Sequence, residues 1–326
     1  MQIEHVSDFS NTLYIVSGTL PSHSSSVVAF SIIRDEIFYL PAFLEYHRRL
    51  GVHHFIFLDD GSTDGTFDYL CLQPDCLLLR SQVKYSQIIL AKDLSGRISK
   101  RRACYFLKQY IPELYLHDKY VLSLDADEFL VLPPCFPDLP SLVTYLSSRN
   151  IHTIAASLIE FYPRYLSDLS RHTTASCFDH LLHVAPLYDH LPLLRPRLFG
   201  GFRVVNQSAS TRIFTSAHIK SPYTTTPYKI PLYLHNSNWI VGSHNAKRRP
   251  YRHILLALFH FKFTHDLYRR TIAAINLKSH SQGSRKYECY SRLFMQYDQS
   301  SYELTCSHSR EYSSPKPLMD IGLMRF

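Results

Sequence analysis

The stretch Lys119 to Leu130 (KYVLSLDADEFL) constrains this chain more than any other. Tyr120 to Leu124 is an apolar run of the kind found in the interior strand of a parallel sheet. It runs directly into Asp125-Ala126-Asp127-Glu128, which sets three carboxylates in four residues. The carboxyl end of such a strand is where open α/β sheets place their ligands. Asp125 and Asp127 stand at alternate positions, so both side chains can turn toward one point. Paired oxygen donors of that kind suit Mg²⁺ or Mn²⁺. The plainer alternative is an acidic turn that holds no metal.

Other segments repeat the strand-then-helix rhythm. Val27 to Ile33 reads as a strand, followed by Arg34-Asp35-Glu36 and by a helical pattern from Leu40 to Leu50. Pro41 suits the first turn of that helix, and Gly51 suits its C-terminal cap. His54 to Leu58 is a second strand, and it delivers Asp59-Asp60-Gly61-Ser62-Thr63-Asp64-Gly65-Thr66. Strands separated by helices over these lengths imply right-handed crossovers and a parallel sheet, hence an α/β fold. Further strands are expected at Cys76 to Arg80, Thr153 to Ile159 and Tyr228 to Leu234. Helices are expected over 97–117, 140–149 and 251–277. Residues 1–26 read as a lead-in, 27–245 as one α/β domain, and 246–326 as a helical extension packed on it.

Composition narrows the function classes. The net charge of +8 favours an anionic partner, and 23 Tyr with 20 Phe allow aromatic-lined grooves. The seven cysteines are scattered with no Cys-x-x-Cys pair, which argues for reduced thiols and a cytoplasmic protein over a disulfide framework or zinc site. The N-terminus has no signal-peptide pattern, and no apolar run approaches the ~20 residues that span a bilayer. Nothing resembles a nucleic-acid-binding motif.

The segment Asp59 to Thr66 is the more specific signal. Gly61 and Gly65 permit a sharp turn and a close ligand approach, while the hydroxyls can hold the turn or cap the next helix. Asp59, at a strand's carboxyl end, is free to accept hydrogen bonds from a base or ribose. This loop and the Asp125–Glu128 loop follow separate strands of one expected sheet, so both would lie along the same edge.

Five ordered blocks between residue 27 and about residue 263 then resemble a family 2-type glycosyltransferase with the Rossmann-like GT-A fold. They are Arg34-Asp35-Glu36 with Glu45-Tyr46-His47; Asp59 to Thr66; Asp125 to Leu130; Gly200 to Arg203 with Lys229 to Leu232; and Ser243-His244 with His260 to Phe263. The resemblance implies a nucleoside-diphosphate sugar as donor, Mn²⁺ or Mg²⁺ as cofactor, and a glycan or glycoconjugate acceptor in surface polysaccharide synthesis. By position, Asp59 would meet the base, with Arg34 and Glu36 nearby. Asp125 would face the ribose or the metal, Asp127 would ligate the metal, and His244 would be a third ligand. Arg102, Arg203 and Lys229 would contact the diphosphate or the acceptor. An inverting base must reach the acceptor hydroxyl, and Glu160 and Asp189 are the candidates. His260, on an apolar pattern, reads as a core or capping residue.

Two other classes compete. A sugar-phosphate nucleotidyltransferase would carry a Gly-rich loop after the first strand, and Ser31 to Arg34 contains no glycine. A non-catalytic glycan- or nucleotide-binding protein would not need Asp125 and Asp127. The basic turn Lys247 to Arg252, with Tyr251 and the aromatic stretch beyond it, is a candidate for peripheral contact with an anionic membrane.

Overall fold

The computed structural model describes residues 9–21, 27–170, 175–221, 226–236, 244, 246–247, 249–277, 284–297 and 302–326. In chain order its first half comprises β1 (Leu13–Ser17), β2 (Val27–Ile33), α1 (Leu40–Arg49), β3 (Phe55–Asp59), α2 (Thr66–Cys71), β4 (Cys76–Ser81), β5 (Ile88–Lys92), β6 (Ile98–Arg102), α3 (Ala103–Tyr115), β7 (Tyr120–Ser123) and β8 (Glu128–Val131). The second half adds α4 (Leu139–Ser148), β9 (Thr153–Glu160), α5 (Phe178–Val184), β10 (Leu187–Asp189), β11 (Leu194–Pro196), β12 (Phe202–Val204), α6 (Ala209–Ser216), β13 (Tyr228–Leu234), β14 (Leu255–His260), α7 (Asp266–Leu277), α8 (Arg285–Gln296), β15 (Ser309–Glu311) and α9 (Pro315–Asp320).

A nine-stranded sheet in the order β1-β4-β3-β2-β7-β13-β9-β14-β8 organises the chain. Strands β4, β3, β2 and β7 run parallel. β13 is antiparallel to both neighbours, β14 is parallel to β9, and β1 and β8 close the edges antiparallel. The fold is the expected α/β arrangement, a Rossmann-like mixed sheet with helices on its faces. Alternate residues of β2 show how it is built. Val27, Ala29 and Ile33 belong to one buried cluster with α1 and α4, and Val28 and Phe30 to another beneath α3. Side chains of successive strand residues point to opposite faces, so a strand covered on both sides must be apolar throughout.

The polarity of the sheet determines what reaches its functional edge. β2, β3, β7, β9 and β14 end there with Ile33, Asp59, Ser123, Glu160 and His260. The reversed strands β13 and β8 begin there, which puts Lys229 and Glu128 at the same edge.

Two expected helices are corrected. Residues 97–102 do not open a helix: β5 and β6 form an antiparallel hairpin, and α3 starts only at Ala103. Lys100 and Arg101 of that hairpin are both exposed. Likewise, 251–277 is not one helix. Leu255–His260 is a buried strand of the central sheet, and the helix begins at Asp266. Buried on both faces, LLALFH shows no alternation that would mark it as a strand. The aromatic stretch expected to lie on a membrane is therefore interior. Among the described residues all seven cysteines are free, and no helix is long and apolar enough to cross a membrane.

Candidate active site

The loops after β2 and β3 are tied together by the motif residues themselves. The Asp35 amide donates to Ser62 Oγ (2.9 Å), the Glu36 amide to Thr66 Oγ1 (2.8 Å) and the Ile37 amide to Asp64 Oδ2 (3.2 Å). The Thr63 amide returns a bond to Asp35 Oδ1 at 2.6 Å. Gly61 and Gly65 have φ of +90° and +94°, a conformation that side chains disfavour. The polar residues of this segment thus build a rigid platform that presents Arg34, Glu36 and Asp60 to a cavity of about 310 Å³ at the sheet edge.

Asp125, Asp127 and Glu128 line the same cavity, with Lys229, His244, His260, Lys262 and Arg270 among the residues facing them. Two cation-carboxylate knots divide the lining. In the first, the buried Lys229 Nζ lies 2.5 Å from Asp125 Oδ2 and 2.5 Å from Glu128 Oε1. Burial opposes the Lys229 charge, but Asp125 and Glu128 outweigh it and hold the ammonium well above its usual range. For Asp125, burial is likewise overcome by Lys229 and then Lys108, leaving the carboxyl below its usual range.

Arg270, on α7, ties the second knot. Its guanidinium is 3.0 Å from Asp127 Oδ2, 3.3 Å from Glu36 Oε1 and 3.8 Å from Asp266 Oδ2, and it lies over the Tyr39 ring. Asp127, 2% exposed, is held far below the usual carboxylate range because Arg270 and His260 overcome its burial. Glu36 goes the other way. Burial raises it to about 8 despite Arg270, with Asp127 and Asp266 adding to the rise.

The cluster that could hold a metal overlaps the expected set only in part. Among the described residues Asp127, Glu128 and His260 bring ligand atoms within 4.8 Å of one another, and all three are buried. The cross-strand register explains the meeting, since His260 pairs with Glu128 of β8. His260 Nε2 lies 3.4 Å from Asp127 Oδ2, and its Nδ1 is buried with no hydrogen-bond partner. Two carboxylates and an imidazole with an unsatisfied ring nitrogen fit a divalent cation. Asp127 is common to the expected and observed sets. Asp125 lies outside that cluster, and His244 lines the cavity with Nδ1 donating to Tyr228 O at 2.7 Å. Burial, with Lys229 next, lowers His244 to about 4, which leaves a neutral ring.

The other expected site residues divide in the same way. Arg34, Glu36 and Lys229 line the cavity, and Asp59, Arg102, Arg203, Glu160 and Asp189 do not. Asp59 is buried against Arg80 (3.0 Å) and the Ser62 amide (3.0 Å), and it is its neighbour Asp60 that faces the cavity. Arg102 ends β6 at the N-terminus of α3, and Arg203 is exposed on β12. Glu160 accepts from the Ser210 amide (2.6 Å) and hydroxyl (2.9 Å), with Lys286 at 3.6 Å. Asp189 is clamped by Arg212 at 2.9 Å and by the Tyr162 hydroxyl. Sequence reading missed Arg269 and Arg270, which look like an exposed pair on an amphipathic helix, and it read His260 as a core residue. Only the pairing of β14 with β8 reveals that histidine's partners.

No protein-family model and no curated protein matches the chain. Among solved structures, S. aureus TarS is similar over 43% of this chain and 22% of that chain, at 9% identity and a TM-score of 0.28. A likeness at that level carries no argument about activity. The chain is thus an α/β protein whose sheet edge holds a charged cavity with a buried Asp-Glu-His cluster fit for a metal.

Proposed function

We propose that this chain is a glycosyltransferase that moves a sugar from a nucleoside-diphosphate donor to an acceptor hydroxyl, with inversion, in the building of a polysaccharide or glycoconjugate. The observation that carries the reading is the convergence of the two acidic loops, after β3 and after β7, on one cavity that also holds Arg34, Lys229, Lys262, Arg269 and Arg270. The ordered motif blocks add to it. A diphosphate needs several cationic donors, and guanidinium forks match its oxygens. A divalent cation held by Asp127, Glu128 and His260 would supply further positive charge to the departing diphosphate.

In the transfer, the acceptor oxygen forms a bond to the anomeric carbon as the bond from that carbon to the phosphate oxygen breaks. The hydroxyl proton needs a base. Glu36 is the lining carboxylate raised to about 8, able to hold a proton near neutral pH, and it takes that role here in preference to Glu160 and Asp189. The Arg34, Arg269 and Lys262 side chains offset the charge left on the nucleoside diphosphate.

A thermal-shift panel of nucleoside diphosphates, with and without Mn²⁺, tests the reading, because a ligand that binds only the folded state raises stability in proportion to the logarithm of its excess over Kd. One nucleotide should stand out, and its shift should survive Glu36→Gln while sugar transfer does not. A panel with no responding nucleotide would overturn the assignment.

A further inference from the structure

From Leu191 to His265 the chain carries eleven Lys and Arg and no Asp or Glu. Part of this segment forms the hairpin of β11 and β12. In its register Leu194 pairs with Val204, Arg195 with Arg203 and Pro196 with Phe202. Arg195 and Arg203, both exposed, are thus like charges directly opposite each other, an arrangement that costs stability in a free hairpin. The hairpin's tip exposes Leu198 and Phe199, at 76% and 82% of their surface. Gly200 and Gly201 make the turn at φ of +87° and +70°.

The tip is braced. Arg249 Nη1 donates to Phe199 O at 3.2 Å, Arg252 Nη1 donates to Arg197 O at 3.4 Å and to Leu198 O, and the Gly201 amide donates to Pro250 O at 3.0 Å. The two most exposed apolar side chains here are therefore presented on a rigid base, ringed by arginines. Among the described residues none of Arg195, Arg197, Arg203, Lys247, Arg249 and Arg252 pairs with a carboxylate.

We propose that this hairpin docks the protein on an anionic lipid surface. Leu198 and Phe199 enter the boundary between headgroups and acyl chains, and the surrounding arginines take the lipid phosphates, which relieves the repulsion between Arg195 and Arg203. Apolar tips with a basic collar bind membranes through those two terms together. A membrane is favoured over a soluble polyanion because nucleic acid or a free anion would satisfy the arginines but leave Leu198 and Phe199 in water. Four residues lie between His244 in the cavity and Arg249 at the brace, so the Cα atoms of those two are at most about 18 Å apart. The surface lies outside the cavity lining, and its failure would leave the transferase reading untouched.

Co-sedimentation of the full chain with phosphatidylcholine vesicles, plain or containing about a third phosphatidylglycerol, tests the proposal at low salt. Binding is expected on the anionic vesicles only. Leu198→Ser with Phe199→Ser should weaken partitioning roughly 100-fold, and Arg195→Gln with Arg203→Gln about 20-fold. Should the serine variant fail to fold, the arginine variant alone still decides. Absence of vesicle binding overturns the proposal. So does binding that ignores these substitutions, or a preference for single-stranded RNA over anionic vesicles.

Discussion

Replacing Arg270 with Met removes the cation shared by Glu36, Asp127 and Asp266, of which Asp266 keeps Arg269 at 2.7 Å. The Arg270 side chain is 18% exposed, with Glu36 at 12% and Asp127 at 3%, so solvent compensates little. Leaving buried carboxylates without their partner costs about 3–5 kcal/mol. Unfolding entropy of about 2.1 cal/mol/K per residue makes that a fall in Tm of about 4–7 °C for a chain of this length. The loss must depend on pH. Glu36 is raised to about 8 in the folded chain against 4.5 as its ordinary value, so at pH 6 it is already neutral and its ion pair contributes little. Above pH 8 it is charged in the native protein and needs Arg270. The lower figure is therefore expected near pH 6, where Asp127 dominates, and the higher figure near pH 9. Thermal melts of both proteins in metal-free buffer across this range provide the assay. A fall of under about 2 °C, or one that shrinks as pH rises, would refute the claim that Arg270 is the counter-ion of this cluster.

Three further outcomes follow from the same geometry. His260→Ala should abolish a Mn²⁺-dependent rise in Tm, whereas His244→Ala should reduce it far less, and equal effects would restore the ligand set expected from sequence. His47 is fully buried and lowered to about 3 by that burial, so the unfolded chain gains a proton below pH 6.5 that the folded chain refuses. Stability should fall as pH drops from 6.5 toward 3, and His47→Leu should flatten that limb in urea titrations while costing about 1–3 kcal/mol near pH 7, because the Leu130 amide loses its acceptor. Gly65→Ala meets no atom within 4 Å and should cost only the strain of its positive φ, about 1 kcal/mol. In Gly18→Ala the new Cβ would lie 2.0 Å from Cys76 O, and chemical denaturation should show a clearly larger loss because backbone must move.

The central sheet was largely legible in the sequence because its strands carry their own signal. Val27–Ile33, Phe55–Asp59, Tyr120–Ser123 and Thr153–Glu160 are apolar runs bounded by turn formers, and burial on both faces requires that pattern. The loops after β2, β3 and β7 were legible for a related reason, since glycines, hydroxyls and carboxylates cluster where a strand ends beside a ligand. Local patterning failed where the partner sets the state. Ile98–Arg102 is a strand only because Ile88–Lys92 lies beside it, and Leu255–His260 only because β9 and β8 flank it.

The sequence by itself determined the fold class, the acidic loops and the edge to which they belong. Tertiary structure alone decided which charges meet. Arg270 lies 143 positions from Asp127, and Lys229 lies 104 from Asp125. Electrostatic partnership acts through space, over a few ångströms, and nothing in the spacing of residues along the chain encodes it. The same reason moved the candidate metal ligands from Asp125 and His244 to Glu128 and His260. Those two residues face each other only because an antiparallel strand closes the sheet.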